Sequence, residues 1–463
     1  MSARRRVAVI GGGVTGLTAA LALIERPGDE LDVALYEARS LVGGHAHTRH
    51  EDGFRIESGP NGFLENDASR TVLQWLALEA RAIEANRASS RRYIVRESRL
   101  RAVPRSPFGL LFGDALSPPG RLRVLREPWV RSRSVPRESV YEFARRRIGS
   151  EAARVLVDAA IGGITAGDSR TLEVDAAFPA LVEMEREHGS LVRAMMQRAR
   201  AARARRSPRA PKPRLVSFPG GVSDLIAAFE HRLGTRLRTD TPVLALGRDG
   251  RRWRLTCANG SEAEADAVLV ATQARGAASL LSSFDAALAG QLAGIRFSGV
   301  GVVALAYREQ DLPRPLEGYG FLISSSERGR TLGAVWESSL YAGRAPAGYA
   351  LIRAMIGGAR EPLAIEESDD SLAARAREDL ARFMGLRAEP ARLWISRAPE
   401  AIAQYTDGHA ERLGRLRAAS ARHPGLVLCG TSYEGVSMGA AMAAGLRAAD
   451  AVLESSSAMR ESA

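Results

Sequence analysis

Apolar positions along the chain fall into short runs of two kinds, and their order divides it. Val7-Ala8-Val9-Ile10 is an unbroken apolar run of strand length, and residues 14–23 follow with the Ala/Leu content of a buried helix. Residues 241–246, 253–257 and 267–272 read as strands, with Asn259-Gly260 as a hairpin turn between the last two. Residues 425–430 read as one more buried strand, followed by a small-residue helix over 439–453. Two blocks lie between these pieces. The first is mostly helical by pattern, broken at Pro104, Pro107, Pro118-Pro119, Pro128 and Pro136. The second has strand-like runs at 300–307, 320–323, 331–336 and 350–356, the pattern of an antiparallel sheet. No internal repeat is evident, and the tail after Glu454 is expected to be disordered.

The turn between the first strand and helix carries chemistry. Gly11-Gly12-Gly13-Val14-Thr15-Gly16 is a G-x-G-x-x-G turn in its proper context. Gly11 permits the tight turn, Gly13 lets backbone approach a pyrophosphate, and Gly16 lets helix pack on strand. The helix N-terminus then faces the phosphates. A second strand over 32–36 ends in Glu37, 21 residues beyond Gly16. A carboxylate there accepts hydrogen bonds from a ribose 2′-OH and disfavours a 2′-phosphate. The fold expected is α/β, with a Rossmann-like dinucleotide domain assembled from separated pieces. The strand ending in Ala271-Thr272 returns to the nucleotide, and the last helix aims another N-terminus at the ligand.

Gly43-Gly44, six residues past Glu37, and then Thr48 resemble the extended fingerprint of FAD enzymes of the amine-oxidase and glutathione-reductase groups. FAD is the cofactor this implies, with Gly11, Gly13, Gly16, Glu37, Gly43, Gly44, Thr48, Val243, Val436, Ser437 and Met438 as its contacts. Those groups often have Arg two positions before the Gly pair; here it is Leu41, for which Arg39 is a candidate substitute. The expected architecture is a discontinuous Rossmann-like FAD-binding domain (1–97, 215–284 and 401–454), an inserted helical domain (98–214), a mixed-sheet substrate domain (285–400) and a disordered tail (455–463).

Composition narrows the setting. At 463 residues the chain is long enough for two or three domains. Cys257 and Cys429 define neither a disulfide framework nor a metal motif, which makes a reducing cytosol the default. Arg4-Arg5-Arg6 before an apolar stretch imitates a signal peptide, but the glycine turn interrupts it. No apolar run is long enough to span a bilayer. His45, His47 and His50 lack zinc-motif spacing, and no metal is expected. Of the net charge of +12, all basic residues but Lys212 are Arg, which suggests codon bias. Basic residues still cluster over 193–214 without an acid. That run is either a solvated helix end with a Pro-rich linker or a contact for anionic lipid headgroups. It lacks the interleaved aromatics of a nucleic-acid site.

Several separated segments resemble one family, the protoporphyrinogen oxidases, in the family's order. Glu57-Ser58-Gly59-Pro60-Asn61-Gly62-Phe63 resembles its E-x-G-P-N-S-F element, with Gly62 for Ser. Arg91-Arg92-Tyr93, the turn Gly163-Ile164-Thr165-Ala166-Gly167-Asp168, Met184 to Leu191, Tyr319-Gly320-Phe321-Leu322 and Ile402-Ala403-Gln404-Tyr405 continue the match. The resemblance implies an oxygen-dependent FAD enzyme of haem biosynthesis. It would take protoporphyrinogen IX to protoporphyrin IX by six-electron oxidation, passing electrons to O2. The flavin carries the redox chemistry, and no catalytic acid or base is nominated. Arg92 is then the cation for a propionate, and Leu322, Val335 and Met355 flank the macrocycle. Gly163 permits close backbone approach, and Asn61 lies between flavin and substrate. Without the resemblance these would read as surface arginine, strand core and turn residues. It further implies a cytoplasmic monomer or homodimer, peripheral on the inner face of the membrane, with a ferrochelatase contact.

The departures gather near the flavin. Ala398 stands where the family has Trp, and the loop Gly430-Thr431-Ser432-Tyr433-Glu434-Gly435-Val436-Ser437 replaces its G-N-x-x-x-G-V-G. Coproporphyrinogen III oxidation, another amine-oxidase-like activity, and a catalytically impaired FAD-binding scaffold stay open beside the leading reading.

Overall fold

The computed structural model describes residues 4–461, apart from 27–30, 105–108, 110–112, 132, 134 and 205–212. Its first sheet has five parallel strands in the spatial order Leu237–Arg238, Leu31–Tyr36, Arg5–Ile10, Ala267–Val270, Leu426–Leu428. Such strands are covered on both faces, hence the unbroken apolar runs at 7–10 and 267–270. Val7, Val9 and Leu269 face the helices Val14–Glu25 and Met438–Glu461, while Ala8, Ile10, Val268 and Val270 face Trp253, Leu246 and Leu255. The two helices approach closely at Gly445, where a Cβ would lie 2.5 Å from Thr15 O.

Asn259-Gly260 closes a hairpin, but not the expected one. It joins Arg252–Cys257 to Glu262–Ala265, in a small antiparallel sheet with Val243–Asp249. Glu262-Ala263-Glu264-Ala265 has no apolar run to announce a strand, because one of its faces is wet. Residues 267–272 instead supply the fourth strand of the parallel sheet.

The second sheet has seven strands: Arg392–Gln404, Arg296–Arg308, Tyr349–Gly357, Gly333–Trp336, Gly320–Leu322, Tyr93–Arg96, Arg99–Ala102. All neighbours are antiparallel except Gly320–Leu322 with Tyr93–Arg96. One face buries Val303, Leu305, Phe321, Trp336, Ile352 and Ile356 under Leu372, Ala376 and Leu380 of the helix Asp369–Met384.

This sheet moves two expected boundaries. The one at 97/98 falls in the turn of the Tyr93–Arg96/Arg99–Ala102 hairpin, whose outer strand is too exposed to show a strand pattern. The one at 400/401 falls inside Arg392–Gln404, where polar residues hide a 13-residue strand. The tail is corrected too. The last helix runs on to Glu461, so 455–461 continue it, and only 462–463 lie outside the described residues. Adding a residue to a formed helix costs far less than nucleating one, and three serines do not stop it.

The short helices of the inserted segment share a buried set of ion pairs. The Arg147 guanidinium, 1 % exposed, pairs with Glu127 and, at 3.1 Å, with Glu185. Arg146 reaches Glu138 at 2.8 Å and Glu185 at 2.5 Å. Removing one member of such a buried set costs about 3–5 kcal/mol. Ser139 and Glu142 form a capping box at the start of Val140–Ile148. Leu191–Ala204 carries the first part of the basic run; residues 205–212 of that run lie outside the described residues.

Candidate active site

The glycine turn separates packing roles from a ligand role. Gly11 has φ +107°, and a Cβ there would lie 3.0 Å from the Ala271 carbonyl carbon and from Thr272 N. On Gly16 it would run into Gly11 O, and on Gly12 it would lie 2.7 Å from Val42 Cγ1. On Gly13 it would meet nothing within 4 Å. Gly13 is also the N-cap of Val14–Glu25, without a side-chain cap or an acid in the first turn. The first N–H groups of the helix are thus left for an anion.

Gly43 and Gly44, at φ +111° and +68°, bring a second backbone alongside. Gly43 N donates to Gly12 O at 2.7 Å, and a Cβ on Gly44 would lie 3.3 Å from Gly13 Cα. Backbone without side chains therefore lines both sides of Gly13, which fits the pyrophosphate of FAD. Glu37 is buried, accepts from Gly12 N at 2.7 Å and from Arg39 N at 3.0 Å. Arg39 also donates to Gly44 O at 3.3 Å, whereas Leu41 is exposed. Arg39 thus bridges the acid and the Gly pair. Thr241 N donates to Glu37 O at 2.9 Å, which brings the strand opening at Val243 beside the acid.

Other expected cofactor residues have structural partners. The Thr48 hydroxyl donates to Glu57 Oε2 at 2.7 Å and accepts from Ser223 N at 3.1 Å. Ser437 caps the last helix: its Oγ accepts from Ala440 N at 3.2 Å. Val436 packs against the core on one side of the parallel sheet and Met438 on the other.

Strand register assembles the expected substrate residues. Leu322 pairs with Gly333 and Gly333 with Met355; Gly320 pairs with Val335 and Val335 with Arg353. Side chains two apart share a face. Leu322, Val335, Arg353 and Met355 therefore lie together on the face opposite the helix Asp369–Met384. Gly163 meets this face, since a Cβ on it would run into Leu322 Cδ2. Val335 packs with Leu340 and Tyr341, and Tyr319 and Met355 join them. The Arg92 guanidinium lies over the Tyr319 ring, 5.2 Å from its centroid. Arg92 is exposed, and no ion pair of its own is found among the described residues.

Asn61 belongs to a buried polar frame that the pattern of the sequence does not reveal. Its Nδ2 donates to Glu337 at 3.0 and 3.2 Å, and Arg353 Nε donates to the same carboxylate at 2.8 Å. Arg344 pairs with Glu57 at 3.0 Å and donates to Ser217 Oγ at 2.6 Å. Glu57, Glu337, Arg344 and Arg353 are all buried. Burial pushes the Glu57 carboxyl up to about 7 against the pull of Arg344 and the Thr48 hydroxyl. A charge inside the apolar run Ala350-Leu351-Ile352-Arg353-Ala354-Met355-Ile356 was the available signal for Arg353. Gly62 also has a reason: a Cβ there would run into Tyr341 OH and lie 2.5 Å from Val216 O.

The histidines near the Gly pair are used locally. His50 Nε2 lies 2.8 Å from Gly220 O, and His45 Nε2 3.3 Å from Gln273 Nε2. Among the described residues no helix is long and apolar enough to cross a membrane.

Residues 14–453 match the family of flavin containing amine oxidoreductases. The chain is 30% identical to coproporphyrinogen III oxidase of Bacillus subtilis over 450 residues, covering 94% of each. It is 31% identical to protoporphyrinogen oxidase of Homo sapiens, over 97% of this chain and 98% of that one. A solved structure from Exiguobacterium sp. 255-15, provisionally assigned as a protoporphyrinogen oxidase, superposes with a TM-score of 0.80 at 26% identity, over 98% of this chain and 99% of that one. The glycine-lined trough, the buried acid beside it and the family match over nearly the whole chain agree: this protein belongs to the flavin containing amine oxidoreductases and is an FAD-dependent oxidoreductase.

Proposed function

We propose that the protein oxidises a porphyrinogen of haem biosynthesis, protoporphyrinogen IX, to the porphyrin with O2 as acceptor. The observation that carries this is one sheet face, where the apolar side chains of Leu322, Val335 and Met355 lie between Gly163 and the Arg92–Tyr319 pair. An apolar face with a guanidinium at its edge suits a flat macrocycle bearing carboxylates. Bound FAD supplies the hydride acceptor. The chain's own residues do the rest. Arg92 meets a propionate, the aliphatic side chains hold the ring and exclude water, and Asn61 is held beside them. Six electrons and six protons leave the porphyrinogen while three O2 become three H2O2.

Coproporphyrinogen III is the second reading, favoured by the similarity to the Bacillus subtilis enzyme. It carries four propionates where protoporphyrinogen carries two, and so needs more free cations around the face. Purified protein is given each porphyrinogen under air, with porphyrin fluorescence and peroxide followed together. Faster turnover of protoporphyrinogen supports the first reading, and faster turnover of coproporphyrinogen the second. A flavin-loaded protein that yields neither porphyrin nor peroxide sinks both.

The same reading includes peripheral contact with an anionic membrane. Trp129, Met195 and Met196 are exposed, Arg193, Arg198 and Arg200 are exposed beside them, and Leu191–Ala204 packs on the Glu127–Trp129 turn. Flotation with anionic but not neutral vesicles is the expected result; equal behaviour with both would refute it.

A further inference from the structure

Asn61 is held by its side chain and by its main chain, from the opposite domain. Glu337 follows the strand Gly333–Trp336 and is fully buried. Its carboxylate takes Asn61 Nδ2 at 3.0 and 3.2 Å and Arg353 Nε at 2.8 Å. Arg353 Nη1 donates in turn to the carbonyls of Glu57, at 3.3 Å, and Gly59. Arg344 Nη2 reaches Asn61 O at 3.4 Å. The segment that bears Asn61 is therefore clamped to the strand Tyr349–Gly357 and to residues 337–344 leading into it, next to Val335, the register partner of Arg353.

An ionised carboxylate only accepts hydrogen bonds. Turning the Asn61 amide over would set Oδ1 against the Glu337 carboxylate, which already takes Arg353 Nε, with no proton between two acceptors. Nδ2 must therefore face Glu337, and Oδ1 must face away from it. We infer that Glu337 is a positioning residue: it fixes Asn61 Oδ1 as an acceptor toward the macrocycle, and so favours the reduced ring over the oxidised one. A porphyrinogen carries four pyrrole N–H donors. The porphyrin carries two N–H groups and two bare nitrogens, which repel a fixed acceptor. The acceptor thus suits the substrate and disfavours retention of the product. This rests on the porphyrinogen reading above.

The test compares wild type, Glu337→Gln, Asn61→Ala and the double variant Asn61→Asp/Glu337→Gln, all flavin-loaded. The amide that Glu337→Gln introduces can both donate and accept, so Asn61 is free to turn. In the double variant that amide donates to one oxygen of the carboxylate placed at position 61 and leaves the other as the acceptor. The negative charge lost at position 337 is thereby kept within the same buried frame. Two quantities are read: kcat/KM for the porphyrinogen, and the affinity of oxidised enzyme for the porphyrin. In Glu337→Gln, kcat/KM should fall about tenfold or more while porphyrin binds at least as tightly as to wild type. The double variant should recover to within about threefold of wild type. A purely structural role would weaken both quantities together, along with flavin content, and that pattern overturns the inference. So does a flavin-loaded Glu337→Gln that matches wild type in both. If Glu337→Gln loses its flavin, the double variant decides: turnover no better than Asn61→Ala overturns the inference, and recovery supports it. A wild type that oxidises no porphyrinogen removes the functional reading itself; an active wild type with variants off the expected pattern removes only the role of Glu337.

Discussion

Gly163 and Leu322 are fitted to one another across the boundary between the helical module and the second sheet. A Cβ on Gly163 would run into Leu322 Cδ2 and lie 3.0 Å from Cδ1. Gly163→Ala must therefore shift the tip of Leu322 within the face it shares with Val335 and Met355. Against the roughly 1 kcal/mol of helix propensity that Ala gains at this helical position, overpacking should leave a net loss of up to about 2 kcal/mol of stability, with at least a severalfold fall in kcat/KM. Leu322→Ala in the same chain makes room for the new methyl, so the double variant should regain stability relative to Gly163→Ala. Unfolding curves for the three variants decide this; additive effects would mean that the two residues are not coupled.

Gly13 and Gly16 make a contrasting pair. Gly16→Ala gains about 1 kcal/mol of helix propensity, but its Cβ meets the Gly11 carbonyl, which is backbone and cannot swing away. The clash wins, and the apoprotein should be destabilised by about 1–3 kcal/mol. Gly13→Ala meets open space, so the apoprotein should keep its stability to within about 1 kcal/mol, the cost of Ala at an N-cap. Its methyl stands where the pyrophosphate approaches, and FAD affinity should drop about tenfold or more. Flavin titration of each apoprotein, beside its denaturation curve, tests the contrast. Tight flavin binding by Gly13→Ala would show that the trough is not the pyrophosphate site.

How much of this was legible depended on whether a residue's role is local. The parallel strands at 7–10 and 267–270 announce themselves because both faces are buried, and the glycine turn because its spacing is its mechanism. Leu322, Val335 and Met355 are singled out only by likeness to a family; that they share one face follows from the register between three strands. Arg392–Gln404 escaped notice because its apolar positions are interrupted by polar ones, and Glu262–Ala265 for the same reason. The Asn61–Glu337–Arg353 frame spans partners 276 residues apart, and no periodicity reports such a contact. Thr48, singled out by a cofactor fingerprint, also has a structural tie that the sequence does not show: its hydroxyl is engaged by Glu57 and Ser223.

Arg92 offers a test that separates binding from folding. Its side chain is exposed and rests on Tyr319 without a carboxylate partner among the described residues. Arg92→Ala should change stability by no more than about 0.5 kcal/mol. A lost guanidinium–propionate pair should raise KM about tenfold, and Arg92→Lys should recover only part of it, since an ammonium lacks the fork. Added salt should raise the wild-type KM more than that of Arg92→Ala. An unchanged KM in Arg92→Ala would remove the residue from the substrate site.

His409 gives the fold a defined sensitivity to acid. Its ring is fully buried and stacked on Tyr405, with centroids 4.3 Å apart and planes at 18°. Burial pushes its pKa down from 6.5 to about 4, against a smaller opposing pull from the Tyr433 backbone. In the unfolded chain the imidazole regains its ordinary value, so between these two values the unfolded state binds the extra proton. The stability owed to a neutral His409 is therefore complete above about pH 6.5 and falls as the pH drops toward about 4, by up to about 3 kcal/mol. His409→Phe keeps an aromatic ring against Tyr405 and cannot titrate. Urea unfolding of wild type and variant at about pH 7, 5.5 and 4.5 should show wild type losing stability relative to the variant as the pH falls. If the two lose stability in parallel, the acid sensitivity belongs to other groups and the buried imidazole is not its source.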